Sequence, residues 1–390
     1  MTSPLHVLWT PSWYPSPGQP LNGSFFREQV GFLRDAGMTV GVASMQAHPF
    51  SMPPTPMYVD DVEQTITRSV PFLPARLRAD GLTMRIFAES IRRTYEQRFG
   101  VPDVIHAHSV FPGILFARYL HCRWGVPYVL TEHRPSSLRQ PPSSRRDAIE
   151  RAVRQASARL TVSDDMADKL TSFYQSDPFQ VSVLPVDDAF FEIEPDRRAD
   201  DPFTFIHVSM LGRNKRVEEV IDAFAQVNAY DPHTRLIIVG GNEPDVANLR
   251  TYARSVSEAV QVLGSRPRSE IPRLMAAADC HVLVSASEAG GTVFSEAQAA
   301  GTPSIGSATP AGRTQIVPGT GIVVGIDQPG ELRDAMRKII ADTRAGGYSR
   351  ESIRAIARAR VSKEKFASDM LTTYIDSLRG TPRTAPDEAL

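Results

Sequence analysis

Along the chain, short runs rich in β-branched and aromatic residues alternate with longer segments whose apolar positions recur every three or four residues. The first run, LHVLWT (Leu5 to Thr10), precedes SFFREQVGFLRDAG, where Phe25, Phe26, Val30 and Leu33 form one helical stripe and Gly37 marks the stop. TVGVAS follows, then a Pro-rich excursion (AHPFSMPPTPM) and a helical stretch from Met84 to Phe99. DVIHAHS, VPYVLTEH, ARLTVS and QVSVLP continue the series. This alternation predicts an α/β fold with a parallel, doubly wound sheet. A polar, acidic segment, Asp187 to Pro202, interrupts it and is expected to be an interdomain linker. Beyond it the alternation restarts with FTFIHVS, EEVIDAFAQVNAY, RLIIVGG, VQVLG, CHVLVS and GIVVGI. Two tandem units are therefore expected, residues 1–190 and 203–361, joined by residues 187–202 and forming a cleft. Phe366, Met370, Tyr374 and Leu378 share one face of a helix within 362–380, and that face needs a partner. The tail, 381–390, is expected to be disordered.

The bulk numbers agree with two units, since 390 residues exceed one ordinary core. A formal net charge of -1 offers no general attraction to nucleic acid or anionic lipid, so any basic site must be local. Cys122 and Cys280 lie in separate halves beside apolar runs and read as free thiols, which fits a reducing cytoplasm. The start MTSPLHVLWT has no basic stretch typical of an export signal. No uninterrupted apolar run reaches the ~20 residues that span a bilayer, so the chain reads as soluble.

Candidate chemistry concentrates in SASEAGGTVFSEAQAAGTPSIGS, Ser285 to Ser307. Glu288 stands past the carboxyl end of a buried-strand run, and Gly290 and Gly291 let the backbone approach a ligand closely. The free amides of the following helix, about Thr292 to Phe294, suit an anion. Glu296, one turn into that helix, suits a vicinal diol such as ribose, because an ionised carboxylate only accepts hydrogen bonds. Taken alone, the pair reads more simply as a loop charge and a solvated helix residue. LGRNKRVEEV adds weight, placing Arg213, Lys215 and Arg216 directly after the first strand of the second half, where a diphosphate would sit.

These residues resemble the retaining glycosyltransferases of family 4, which have the GT-B fold. The resemblance rests on WTPSWYP with NGSFFREQV, DVIHAHS, VPYVLTEH, the loop of Lys215, and above all Glu288-x7-Glu296 followed by AAGTPSIGS. It implies two Rossmann-like domains facing a central cleft, a nucleotide-sugar donor on the second, an acceptor on the first, and a C-terminal helix crossing back to the first. Carried over, Glu288 meets donor-sugar hydroxyls and Glu296 the ribose. Gly290, Gly291, Thr292 and Val293 meet the phosphate or sugar, and Lys215 the diphosphate. Gly23 matches the family's glycine loop facing the diphosphate, Arg266 and Pro267 the segment bracketing the base, and His133 the histidine near the reacting carbon. The chain departs at Met210, where the family usually has arginine, leaving Arg213 or Arg216 to substitute. It departs again at Ala289-Gly290-Gly291 and at Pro185-Val186-Asp187.

No cluster has metal-ligand spacing, so no metal and no cofactor is expected beyond the nucleotide sugar as co-substrate. The resemblance implies same-face substitution in which the leaving phosphate deprotonates the acceptor, with His133, Lys215 and Glu288 at the reacting centre. The expected reaction is hexose transfer from a UDP- or GDP-sugar to a small acceptor, such as an anionic metabolite or antibiotic precursor. His108, His133, Arg134 and Arg139 are the acceptor-side candidates, the last two in the arginine-rich loop HRPSSLRQPPSSRR. Two alternatives stay open, a nucleotide-sugar epimerase of the same fold and a lipid- or polysaccharide-directed transferase at a membrane surface, for which Arg85, Arg92 and Arg93 are a faint basic signal.

Overall fold

Buried apolar strands that alternate with amphipathic helices must be covered on both faces, and the chain achieves this twice. The computed structural model describes residues 4–20, 22–49, 51–72, 80–134, 138, 143–195, 197–198, 200–288, 290–325 and 328–380. They divide into two units, one running from the N-terminus to Ser182 and rejoined from Phe366, the other spanning Val183–Lys365. Among the described residues no helix is long and apolar enough to cross a membrane.

The first unit is built on β1 (His6–Pro11), β2 (Thr39–Pro49), β3 (Tyr58–Asp60), β4 (Thr65–Phe72), β5 (Val104–His108), β6 (Tyr128–Glu132), β7 (Ala158–Thr161) and β8 (Gln180–Val181). Their order is β3-β4-β2-β1-β5-β6-β7-β8, parallel throughout except for the β3–β4 pair. That hairpin extends the Pro-rich excursion and was not expected. Ile66, Val70 and Phe72 alternate inward as a strand requires, but Arg68 and Pro71 hide the pattern. The stretch Ser24–Asp35 is helical as read, with Phe26, Val30 and Leu33 buried against Trp9, Val40 and Val104. The returning helix Lys363–Gly380 buries Phe366, Met370 and Tyr374 in this same core, whereas Leu378 is exposed. Residues 381–390 lie outside the described residues.

The second unit holds β9 (Phe203–Val208), β10 (Thr234–Val239), β11 (Val260–Gly264), β12 (Cys280–Leu283), β13 (Ser304–Ser307) and β14 (Gly321–Val324). All pair in parallel in the order β11-β10-β9-β12-β13-β14, the Rossmann order. Strand β13 went unread because SIGS carries one aliphatic residue. The segment read as a linker begins with a helix, Asp188–Glu192, capped by the Asp187 carboxylate accepting from the Ala189 amide. Its Phe190 and Phe191 are buried with Ile206, Ile271 and Met275. Two phenylalanines in an otherwise acidic stretch therefore tie it into the second core, and the division by contacts falls earlier, at Ser182. Both cysteines are free, Cys280 buried and Cys122 partly so.

Candidate functional site

In a sheet of Rossmann order the first and fourth strands are neighbours whose following connections diverge, which opens a crevice at their carboxyl ends. Here those strands are β9 and β12, and the loops that follow them carry Lys215 and Glu288. The base of the first loop is fixed by His207, which donates Nδ1–H to the Val282 carbonyl at 2.9 Å and accepts from the Ser209 hydroxyl at 2.7 Å. Ser209 Oγ in turn accepts the Leu211 amide at 3.0 Å. Asn214 then staples the two loops: its Nδ2 donates to the Ser287 carbonyl at 2.7 Å and its Oδ1 accepts the Ser287 amide at 2.9 Å. With the loops tied, Lys215 Nζ forms an ion pair with Glu288 Oε2, each side chain about one-fifth exposed. The charges nearest the switch point are thus a matched pair, poised between solvent and core.

Beyond Glu288, Gly291 adopts φ +57° and a Cβ there would lie 2.8 Å from the Ala311 side chain. It precedes the helix Thr292–Ala299, whose first turn no side chain caps; the Phe294 amide turns back to the Gly291 carbonyl at 2.9 Å, which leaves the amides before it to face an anion. Buried Gln315 holds this turn in place. Its Nε2 donates to the Gly290 carbonyl at 3.0 Å while its Oε1 accepts from the Ser295 hydroxyl at 3.0 Å. The Ala311 amide donates to the Glu288 carbonyl at 3.1 Å. Glu296 is 5% exposed, which removes the solvated-helix reading. Its Oε1 meets Arg268 Nη2 at 2.7 Å. Arg268 also lies over the Phe190 ring, 5.2 Å from its centroid. Arg266 and Pro267, the residues carried over from the resemblance, are exposed immediately before this arginine.

The basic cluster does not converge as a unit. Lys215 turns to Glu288, but Arg216, at φ +46°, lies 3.6 Å from Glu219. Arg213 and Arg216 line a separate groove of about 730 Å³ with Leu211, Glu218 and Asp245. Met210, where the family usually has arginine, is exposed. Asn214, Arg268 and Gln315 escaped the sequence reading; the signal for Asn214 was its place between Arg213 and Lys215.

The first unit carries the histidine candidates. His108 ends β5 and His133 follows β6, and their rings stack 5.4 Å apart with Nδ1 of His108 3.1 Å from Nε2 of His133. The turn at His133 is set by Glu132, fully buried, whose Oε1 accepts the amides of His133 and Arg134 at 2.8 Å each. Its Oε2 accepts the Val110 amide at 2.7 Å. Arg134 stacks on Trp13, 3.3 Å from the ring centroid, whereas Arg139 lies outside the described residues. Gly23 heads the helix Ser24–Asp35 at φ +73°, and a Cβ there would lie 2.8 Å from Trp13 Cδ1. Gly23→Ala is expected to destabilise the chain by about 2 kcal/mol, lowering Tm by roughly 4–8 °C. An unchanged Tm by calorimetry would contradict this backbone requirement.

Burial holds these imidazoles neutral. Desolvation pushes His133 down to about 3, with Arg134 adding to the effect. It lowers His106 and His108 well below the ordinary value, each with help from neighbouring histidines. In the second unit it pushes His281 to about 3 and His207 to about 4. The unfolded chain takes up protons near pH 6.5 that the folded chain refuses. Stability is therefore complete above that pH and falls on acidification at about 1.4 kcal/mol per pH unit for each such imidazole. Calorimetry should find Tm level from pH 8 to 7 and falling steeply from 6.5 to 5; a level Tm down to pH 5 would refute the assignment.

Among the described residues no group of three His, Cys, Asp or Glu side chains is arranged to hold a metal ion.

Comparison with known proteins places this geometry. Residues 24–186 match the family model Glycosyltransferase Family 4, and residues 189–360 match Glycosyl transferases group 1. The chain is 27% identical over 330 residues to a D-inositol 3-phosphate glycosyltransferase of Stackebrandtia nassauensis, covering 76% of this chain and 74% of that one. It is 27% identical over 328 residues to the putative teichuronic acid biosynthesis glycosyltransferase TuaC of Bacillus subtilis, covering 77% and 80%. Among solved structures, Anabaena HepE in complex with UDP superposes with a TM-score of 0.69 at 17% identity, over 95% of this chain and 99% of that one. The lipopolysaccharide outer core galactosyltransferase WaaB in its apo form gives 0.68 at 15% identity, over 95% and 99%. With both family models matched in tandem and both sheets in place, the chain belongs to the family 4 glycosyltransferases, enzymes of the GT-B fold that use nucleotide sugars.

Proposed function

We propose that this glycosyltransferase moves a hexose-like sugar from a UDP- or GDP-linked donor to a small anionic acceptor, with retention of configuration and without a divalent cation. The observation that carries the reading is the Lys215–Glu288 pair beside an uncapped helix start at the switch point of the second sheet. A bound donor would take Lys215 and the amides of Gly291 to Val293 for its diphosphate, which frees the Glu288 carboxylate for sugar hydroxyls. Glu296, with one oxygen on Arg268, offers the other to the ribose, and Arg266 and Pro267 flank the base. The acceptor oxygen forms its bond to the anomeric carbon on the face from which the diphosphate departs, and its proton passes to the leaving phosphate oxygen. Lys215 and the helix start would stabilise that leaving charge. His133 and Arg134 are the acceptor-side groups of the first unit.

The relatives support the donor and acceptor classes. HepE has been solved with UDP and with UDP-glucose, and several relatives are named for D-inositol 3-phosphate, a phosphorylated polyol. A cytoplasmic setting accords with the unpaired Cys122 and Cys280. The test is a thermal-shift panel of UDP-, GDP-, TDP- and ADP-sugars, followed by product analysis with and without a chelator. A matching donor at a hundredfold excess over Kd stabilises by about 2.7 kcal/mol. Activity abolished by chelation would remove the metal-free part of the reading, and epimerised donor without acceptor would replace transfer altogether.

TuaC and WaaB favour a second reading, transfer to a polysaccharide or lipid-linked acceptor. Against a membrane-surface version stands the charge pairing on the helix Asp80–Phe99. Arg92 and Arg93 both bind Glu89, at 2.9 and 2.7 Å, leaving little free basic charge at those positions.

A further inference from the structure

In the proposed reaction a bound donor takes Lys215 from Glu288, so their ion pair cannot be what keeps Lys215 in place while the glycosidic bond breaks. Another tie must persist in the loaded site. Lys215 ends a single short turn, Arg213–Lys215, none of whose residues is buried, so core packing does little to hold it. Two non-glycine residues in the left-handed region bracket that turn, Leu211 at φ +56° and Arg216 at φ +46°. Such residues cost energy and keep their conformation only where the surroundings hold it.

Asn214, the middle residue of the turn, meets the loop after β12 three times. Its Nδ2 donates to the Ser287 carbonyl at 2.7 Å, its Oδ1 accepts the Ser287 amide at 2.9 Å, and its own carbonyl accepts the Ala286 amide at 2.8 Å. The side-chain amide thus pairs with both polar groups of one residue, as a neighbouring strand would. Its orientation is fixed by that pairing: turned over, it would set NH2 against N–H and oxygen against oxygen. The loop it grips is anchored elsewhere as well. The Glu288 carbonyl accepts the Ala311 amide at 3.1 Å, and the Ser285 carbonyl accepts the Ser307 hydroxyl at 2.7 Å. Loss of the Asn214 side chain therefore leaves the Glu288 loop in place and the strained turn of Lys215 on one bond, about which it relaxes.

We propose that Asn214 is a positioning residue: through Ser287 it holds the turn Arg213–Lys215 so that the Lys215 ammonium stays at the leaving diphosphate once Glu288 has released it. The inference rests on the reading that Lys215 stabilises that diphosphate. A cation fixed in advance acts where charge develops, so its displacement costs rate more than affinity.

The experiment is a double-mutant cycle on the full chain, with Asn214→Ala, Lys215→Ala and the two combined. Turnover is read with water as acceptor, as release of nucleoside diphosphate from UDP-glucose or from whichever sugar nucleotide stabilises the chain in the thermal-shift panel. Asn214→Ala should lower kcat about tenfold and leave donor KM within about twofold. Tm should move by no more than a few degrees, since both side-chain bonds are exposed. In the Lys215→Ala background the same change should cost nothing further. Asn214→Asp, which keeps the shape but has no donor for the Ser287 carbonyl, should be at least as slow as Asn214→Ala. An Asn214→Ala enzyme with wild-type kcat beside a slow Lys215→Ala overturns the proposal and leaves the role of Lys215 intact. Losses that multiply in the double variant overturn it too, because Asn214 would then act independently of Lys215. A Lys215→Ala enzyme at the wild-type rate removes the role of Lys215 and the proposal with it.

Discussion

Replacement of Lys215 by alanine lowers kcat by about a hundredfold while moving Tm by no more than a few degrees. The two parts of this expectation have different origins. The Lys215–Glu288 pair is about one-fifth exposed on each side, and partly solvated pairs contribute on the order of 1 kcal/mol or less to stability. A fixed cation beside a leaving diphosphate acts where charge develops, and loss of one such group costs about 10²–10³ in rate. Steady-state kinetics and calorimetry on the same preparation separate the two. A Lys215→Ala enzyme with wild-type kcat would take this residue out of the reaction.

The elements that position Lys215 and Glu288 were legible because each depends on local order in the chain. FTFIHVS and CHVLVS are dense apolar runs that can only be buried strands, and the Gly290-Gly291 pair marks where the second hands over to a helix. Their being neighbours follows from the Rossmann order, which the βα alternation restricts to few arrangements. What held the loops was not legible. Gln315 reaches a carbonyl 25 positions away, and Asn214 reaches Ser287 across 73 positions, contacts with no periodic signature. Arg266 entered through the family resemblance, whereas Arg268 is marked only by tertiary packing, against Phe190 and Glu296. Phe190 and Phe191 were misjudged for the converse reason: the acidic residues around them dominate the composition, while two buried rings decide the packing. On the first unit His133 entered as a candidate through the family resemblance of VPYVLTEH, and His108 as an acceptor-side candidate from DVIHAHS. That Glu132, one position earlier, ties the turn through three backbone amides is visible only once β5 and β6 pair.

Glu296→Ala should weaken donor binding by about ten- to a hundredfold, the equivalent of one or two hydrogen bonds to a charged group. Arg268 fixes the Glu296 carboxylate in advance. With Glu296 5% exposed and one of its oxygens on that arginine, the carboxylate is oriented before any ligand arrives, so little rotamer freedom is lost on binding. Removing it also releases Arg268, 56% exposed at its side chain, which can remain solvated, so the fold should tolerate the change. Glu296→Gln is the discriminating variant. It keeps the shape and one acceptor but loses the charge on Arg268, and should fall between wild type and alanine. Arg268→Ala leaves the acceptor in place with its orientation relaxed, and should raise the donor Kd by a smaller factor than Glu296→Ala. Calorimetric titration with the nucleoside diphosphate alone and with the intact nucleotide sugar then assigns the contact. An equal loss for both ligands places Glu296 on the nucleoside, whereas a loss confined to the nucleotide sugar moves it to the hexose. Undiminished affinity for both in Glu296→Ala would end its role as a donor clamp, leaving a half-exposed ion pair that serves only the helix Thr292–Ala299.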